Sequence, residues 1–272
     1  MYKLLALDLD GTLLNEQKEI STRNKEILKK AQEKGCQVVL TTGRPLKAVA
    51  PYVKALELFG PDEYAITFNG GLVQRIATGE ILGKTVLEFS DIEKIYPIFQ
   101  ELDLPLSVLS EGKVLELATS KNHPSIYAQL NPLLSYEQVD LEDLKPDAIY
   151  NKLVSATSAE VLDEKIPFIP NDLKENFGIM KSRDCLLEIL PKGVSKAQGL
   201  ELLGKHLGIS LLEMIAFGDE ENDLSMLEAC GLGVVMANGS QKAKAAADFI
   251  TLSNEEDGVA YAIEKFVLKG GN

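Results

Sequence analysis

Near the start of the chain, residues 3 to 14 read Lys-Leu-Leu-Ala-Leu-Asp-Leu-Asp-Gly-Thr-Leu-Leu. Apolar residues follow one another without polar alternation, which predicts a strand covered on both faces, as at the centre of a parallel sheet. Two carboxylates stand at its end, one residue apart. Pleating sends Asp8 and Asp10 to one side and Leu9 to the other, and Gly11 permits the tight exit turn that such a strand needs. In open α/β sheets the crevice beyond the carboxyl ends of the strands takes the ligand, so the two acids share a small space where chemistry is expected.

The rest of the chain supplies the partners of that strand. Ser21 reads as the N-cap of a helix with Ile27, Leu28 and Ala31 on one face, closed by Gly35. Residues 36–41 and 64–68 read as further strands, ending in Thr42-Gly43-Arg44-Pro45 and Asn69-Gly70-Gly71, with Pro45 near the first position of another helix. Strand, helix, strand, helix, strand implies parallel pairing with right-handed crossovers, so these ends open on one edge. From Gly193 the same alternation returns: a helix over 195–207 that stops at Gly208, strands over 214–217, 232–235 and 249–251, and a last helix carrying Val259, Ile263, Phe266 and Val267. Gly270-Gly271-Asn272 reads as a frayed end.

Between about Ile81 and Leu190 the rhythm differs. Short strands over 107–109, 114–117, 153–156 and 185–190 mix with amphipathic helices, one of them starting near Ser90 with Ile92, Ile95, Phe99 and Leu102 at helical spacing. The predicted architecture is therefore α/β: a doubly wound parallel sheet built from residues 1–82 and 191–272, with an α+β domain inserted over 83–190.

Composition narrows the partners. A net charge of −13 argues against nucleic acid or an anionic membrane, both of which call for a basic patch. Cys36, Cys185 and Cys230 are odd in number and far apart, which supports neither a disulfide framework nor a zinc site. The N-terminus lacks the pattern of a signal peptide and no apolar run is long enough to span a bilayer, so a reducing cytoplasm is the expected location.

Four polar clusters fall at strand ends or helix starts of one sheet: Asp8, Asp10 and Thr12; Thr42-Gly43-Arg44; Lys196; and Asp219, Asn222 and Asp223. In this order they resemble the four motifs of the haloacid dehalogenase superfamily, and an insertion between the second and third resembles its Cof-type branch. Leu40-Thr41-Thr42-Gly43-Arg44-Pro45, Phe68-Asn69-Gly70-Gly71 and Glu255-Glu256-Asp257-Gly258-Val259-Ala260 resemble sugar phosphatases of that branch. The resemblance implies a Rossmann-like core, a substrate-selecting cap that closes over it, Mg²⁺ as cofactor and a small phosphorylated metabolite as partner. It also implies that Asp10 gives a backbone carbonyl to the metal, that Leu9 joins the phosphate contacts, and that Asp223 and Thr12 support the site.

The residues themselves fit that chemistry. Crowded carboxylates repel by ~4 kcal/mol per pair at ~4 Å in an effective dielectric of ~20, so a cation belongs among them. Oxygen ligands suit a hard ion, and few carboxylates completed by phosphate and water suit Mg²⁺; Asp8 and Asp219 are the side-chain ligands. An ionised Asp8 can attack phosphorus, giving an aspartyl-phosphate that water later cleaves. Asp10 is then expected to protonate the leaving oxygen and to activate water, with a pKa raised by neighbouring charge. Thr42, the Gly43 backbone, Lys196 and Asn222 can supply fixed donors to the phosphoryl oxygens. Arg44 and Asn69 are read either as braces of the loop or as substrate contacts. His123 and His206 are read as surface or packing residues, and Glu220 and Glu221 as solvated acids at a helix start. A phosphomutase using the same intermediate, or a silent sugar-phosphate-binding module, is the alternative.

Overall fold

The structure, a computed structural model, describes residues 2–110 and 112–269; the frayed end expected at Gly270-Gly271-Asn272 lies outside them. In chain order the strands are β1 (Leu4–Leu7), β2 (Gln37–Thr41), β3 (Tyr64–Thr67), β4 (Leu72–Arg75), β5 (Ile81–Lys84), β6 (Leu106–Ser110) and β7 (Lys113–Leu117). They continue as β8 (Ser135–Val139), β9 (Lys152–Ala156), β10 (Phe177–Arg183), β11 (Leu186–Pro191), β12 (Met214–Gly218), β13 (Leu232–Val235) and β14 (Phe249–Ile250). The chain forms two compact units, one from the segments up to Lys84 and from Ser195 onward, the other from Thr85 to Val194.

The first unit holds an eight-stranded sheet in the order β14-β13-β12-β1-β2-β3-β4-β5. β1 lies inside it, paired in parallel with β2 on one side and β12 on the other. Its uninterrupted apolar sequence has a direct use. Leu5 and Leu7 face a layer with Ile27, Leu28 and Ala31 from the helix Thr22–Glu33 and with Val259 and Ile263 from the helix Gly258–Ile263. Leu4 and Ala6 face the opposite layer, with Leu200 and Leu203 from the helix Lys196–Leu207 and Met226 from Leu224–Ala229. Every side chain of β1 is fully buried, and each such leucine contributes ~1.5–3 kcal/mol relative to exposure.

Local signals set the helix ends. The Ser21 and Ser195 hydroxyls accept from the Asn24 and Gln198 amides, and Gly208 closes the helix Lys196–Leu207 in the left-handed region. Pro45 falls one position earlier than expected, as the cap of the helix Leu46–Ala55.

The sheet is not parallel throughout. β4 and β5 run antiparallel to their neighbours because only residues 68–71 link β3 to β4, too few for a crossover. A boundary at residue 82 would cut β5, which belongs to the first unit, and the second unit runs on through Val194.

That second unit is built on a six-stranded sheet, β10-β11-β9-β6-β7-β8, antiparallel except for β7 with β8. One of its faces packs Leu106, Val108, Leu153, Leu187 and Ile189 against Ile92, Ile95 and Phe99 of the helix Phe89–Glu101 and against Leu162 and Leu173. Alternation puts Lys152 on the other face, buried and ion-paired with Glu188 of β11.

Candidate active site

Three side chains stand just past the carboxyl ends of neighbouring strands. Asp8 follows β1, its amide donating to Phe217 O at 3.0 Å; Thr42 follows β2, donating to Ile66 O at 2.9 Å; Asp219 follows β12. Lys196 arrives from a helix start. A close approach fixes that helix: a Cβ on Gly70, at φ 103°, would stand 2.0 Å from Ser195 O. The buried ammonium of Lys196 donates to Asp8 Oδ1 and, at 2.6 Å, to Asp223 Oδ1.

Asp8, Asp219 and Asp223 present carboxylate oxygens within 4.8 Å of one another, all buried. Three carboxylates against one ammonium leave two negative charges to be compensated. Asp223 is already engaged, since its Oδ2 accepts from the Asp219 and Glu220 amides at 2.9 and 3.1 Å. Thr12 Oγ1 donates to Asp219 Oδ1 at 2.7 Å. Burial pushes Asp8 well above the ordinary carboxylate range; Lys196 pulls it down, and Asp223 and Asp219 push it up again. Burial and then Asp223 push Asp219 to about 7, against the Thr12 hydrogen bond. Lys196 is raised, because attraction from Asp223 and Asp8 outweighs the burial that would lower it. This donor set fits a divalent cation. It is hard, anionic and dry, and burial followed by carboxylate repulsion holds Asp8 and Asp219 above the ordinary range.

Asp10 departs from the expectation. β1 ends at Leu7, so strand alternation no longer governs residue 10, and a turn carries its carboxylate to other partners. Arg44 donates from Nε to Oδ2 at 2.8 Å and from Nη2 to Oδ1 at 2.6 Å, and Lys18 Nζ donates to Oδ1 at 2.9 Å. Burial would raise Asp10, but the bonds and charges of Arg44 and Lys18 win and set it at about 2. The raised pKa expected of a proton donor is therefore corrected: in this arrangement Asp10 is held ionised. Arg44 also donates from Nη1 to Tyr52 Oη at 3.3 Å.

The remaining candidates surround the cluster. The Thr42 hydroxyl accepts from the Arg44 amide at 3.2 Å, and the Thr42 carbonyl accepts from the Asn69 amide at 3.0 Å. Asn69, in the left-handed region at φ 57°, brings its side chain to within 3.1 Å of where a Cβ on Gly43 would lie, and its Oδ1 accepts from Asn222 Nδ2 at 3.3 Å. Leu9 is buried, with its carbonyl accepting from the Thr12 and Leu14 amides. The histidines lie elsewhere: His206 meets Tyr64 edge-on, and His123 is 3.9 Å from Asp103. Glu221 pairs with Lys242.

The model of the haloacid dehalogenase-like hydrolases matches residues 5–263, nearly the whole chain. The chain belongs to this family. The hydrolase is 33% identical to YxeH of Bacillus subtilis, over 98% of this chain and 99% of that one. It is 30% identical to YcsE of the same bacterium, a 5-amino-6-(5-phospho-D-ribitylamino)uracil phosphatase, over 98% and 96% of the two chains. Among solved structures, the subclass IIB sugar phosphatase BT4131 superposes with a TM-score of 0.81 at 26% identity, covering 97% of this chain and 98% of its own.

Two features of the hydrolase escape sequence reasoning. Lys18 sits in a polar turn like any solvated lysine, and only the folded turn brings it to Asp10. Asn238 looks like loop punctuation, yet its amide reaches Gly11 O at 2.8 Å, 227 residues away. Among the described residues no helix is long and apolar enough to cross a membrane.

Proposed function

We propose that this hydrolase is a Mg²⁺-dependent phosphatase of small phosphate monoesters, sugar phosphates foremost, acting through an aspartyl-phosphate on Asp8. The observation that carries the reading is the buried trio of Asp8, Asp219 and Asp223 with Lys196 donating into it. The names borne by YcsE and BT4131, a phosphatase of a phosphorylated ribitylamino compound and a sugar phosphatase, support the substrate class.

Asp8 and Asp219 would hold the cation by their side chains and Asp10 by its backbone carbonyl. When bound, the cation neutralises the trio and withdraws charge from the phosphoryl oxygens. Burial raises Asp8 and Lys196 opposes that rise; the ionised form of Asp8 is the nucleophile. The Asp8 oxygen bonds to phosphorus as the ester oxygen leaves. Thr42, the Leu9 and Gly43 amides, Lys196 and Asn222 then meet the equatorial oxygens as donors. Giving a proton to the leaving oxygen requires that the Arg44 fork open and Asp10 first take up a proton; in the second half, water attacks phosphorus, the bond from phosphorus to the Asp8 oxygen breaks, and ionised Asp10 takes the proton of that water. Asp223 keeps Lys196 and the Asp219 backbone in place. Discrimination among monoesters is assigned to the inserted unit, residues 83–190 in the sequence reading. Three unpaired cysteines suit a reducing cytoplasm.

A panel of phosphorylated metabolites assayed for phosphate release, with Mg²⁺ and with chelator, tests the reading. Release from sugar phosphates that stops in chelator, and stops in Asp8→Asn without loss of the fold, is expected. Isomerisation of a hexose 1-phosphate without phosphate release would make the protein a mutase, and binding without turnover would make it a silent module.

A further inference from the structure

We infer that Asn238 is a positioning residue for the divalent cation, tying the turn that carries Asp10 and Thr12 to the strand end that carries Asp219; this rests on the metal reading proposed above. The exposed Asn238 side chain uses both ends of its amide on backbone. Nδ2 donates to Gly11 O at 2.8 Å, and Oδ1 accepts from the Asn254 amide at 3.0 Å. An acceptor at one end and a donor at the other leave a single orientation for the amide.

The loop that bears Asn238 grips the Asp219 segment as well. The Met236 amide donates to Gly218 O at 3.1 Å and the Ser240 amide to Asp219 O at 2.8 Å. Across the cluster, Thr12 Oγ1 holds Asp219 Oδ1 at 2.7 Å. The links close into a ring: Asp219 side chain, Thr12, Gly11, Asn238, Ser240 and back to the Asp219 main chain. Gly11 is the tight point of the ring, because at φ 81° a Cβ there would stand 2.2 Å from Asp219 Oδ2. The peptide that Asn238 grips is thus the one pressed on the carboxylate. Any drift of the Gly11 carbonyl moves Thr12 and, through its hydrogen bond, Asp219.

Mg²⁺ demands near-ideal octahedral geometry, so small displacements of its ligands weaken it strongly. Partners bonded directly to metal ligands are worth about 10–100-fold in affinity; Asn238 acts one bond further out, and about 3–10-fold is expected.

The experiment measures Mg²⁺ affinity by calorimetry on the full chain, with thermal unfolding in chelator alongside, for wild type, Asn238→Ala and Glu255→Ala. Glu255 is the control: it takes a hydrogen bond from the Glu16 amide in the same neighbourhood without touching Gly11. Asn238→Ala should bind Mg²⁺ about 3–10-fold more weakly while its unfolding midpoint in chelator stays within about 2 °C of wild type. Glu255→Ala should bind as wild type does. Unchanged affinity in Asn238→Ala, or an equal loss in Glu255→Ala, overturns the inference. A wild type that binds no Mg²⁺ overturns the metal reading beneath it, and the wild-type titration alone reveals this.

Discussion

In chelator, this protein should lose stability as the pH rises from about 4 to 7. Asp219 carries the argument. Burial, followed by repulsion from Asp223, lifts its carboxyl from an ordinary 3.8 to about 7. Below 3.8 the group is protonated in both folded and unfolded chains and costs nothing. Between 3.8 and 7 the unfolded chain ionises while the native one keeps its proton, so stability falls by about 1.4 kcal/mol for each step of one pH unit. Above pH 7 the penalty is complete, at about 4 kcal/mol for this group, and Asp8, raised as well, adds to it with the same sign. The depressed Asp10 does not interfere, since its stabilising effect is complete above 3.8 and is lost only toward pH 2. Urea unfolding between about pH 4.5 and 7.5, in chelator and in saturating Mg²⁺, reads the effect directly. Asp219→Asn, which cannot ionise, separates this group from the general repulsion of an acidic chain. The wild type should show a steeper downward slope than Asp219→Asn in chelator, and Mg²⁺ should flatten it. Parallel slopes for the two proteins in chelator, or a wild-type slope untouched by Mg²⁺, would refute the reasoning.

Three further outcomes are expected. Lys196→Met removes the ammonium bonded to Asp8 and Asp223 and should cost about 3–5 kcal/mol at neutral pH in chelator, less at pH 5, as read by urea unfolding; phosphate release should drop at least about a hundredfold. Gly11→Ala puts a side chain at φ 81° and against Asp219, so unfolding should show a loss of about 1–3 kcal/mol and calorimetry a weaker Mg²⁺ site. Burial pushes the Cys230 thiol up to about 12 and raises Cys36, so peptide mapping after alkylation near pH 8 should find both labelled at least about a hundredfold more slowly in the native protein than in urea.

What the sequence discloses and what it hides follow from the range of the forces involved. β1 is legible because burial on both faces leaves its mark on every residue from Leu4 to Leu7, and the helix caps at Ser21, Ser195 and Gly208 are local chemistry. β8 is not legible: exposed at the sheet edge and mostly polar, it is held by pairing with β7 rather than by any apolar pattern of its own. β4 and β5 are hidden for a different reason, since a run of alternating strand and helix says nothing about where the alternation stops. Asp8, Lys196 and Asp219 each follow a strand or open a helix, and it is the resemblance to the family's ordered motifs that picks them out among such positions. The state of Asp10 is not legible in this way, because it depends on an arginine 34 residues away and on a turn that begins at Leu9 rather than at Gly11.

The order of the central sheet also bears on how the protein is made. β1 leaves the ribosome well before its second neighbour, β12, which lies more than 200 positions later with the whole Thr85–Val194 unit in between. Closing a flexible loop of that unit's length would cost about 4 kcal/mol. A unit that folds first, around its own six-stranded sheet, shortens the loop to the span between its ends. The insertion can therefore serve as a scaffold during synthesis, holding the two halves of the catalytic sheet within reach of each other. On this account Asp8 waits, without the repulsion of Asp219 and Asp223, until Lys196 has already emerged to receive it.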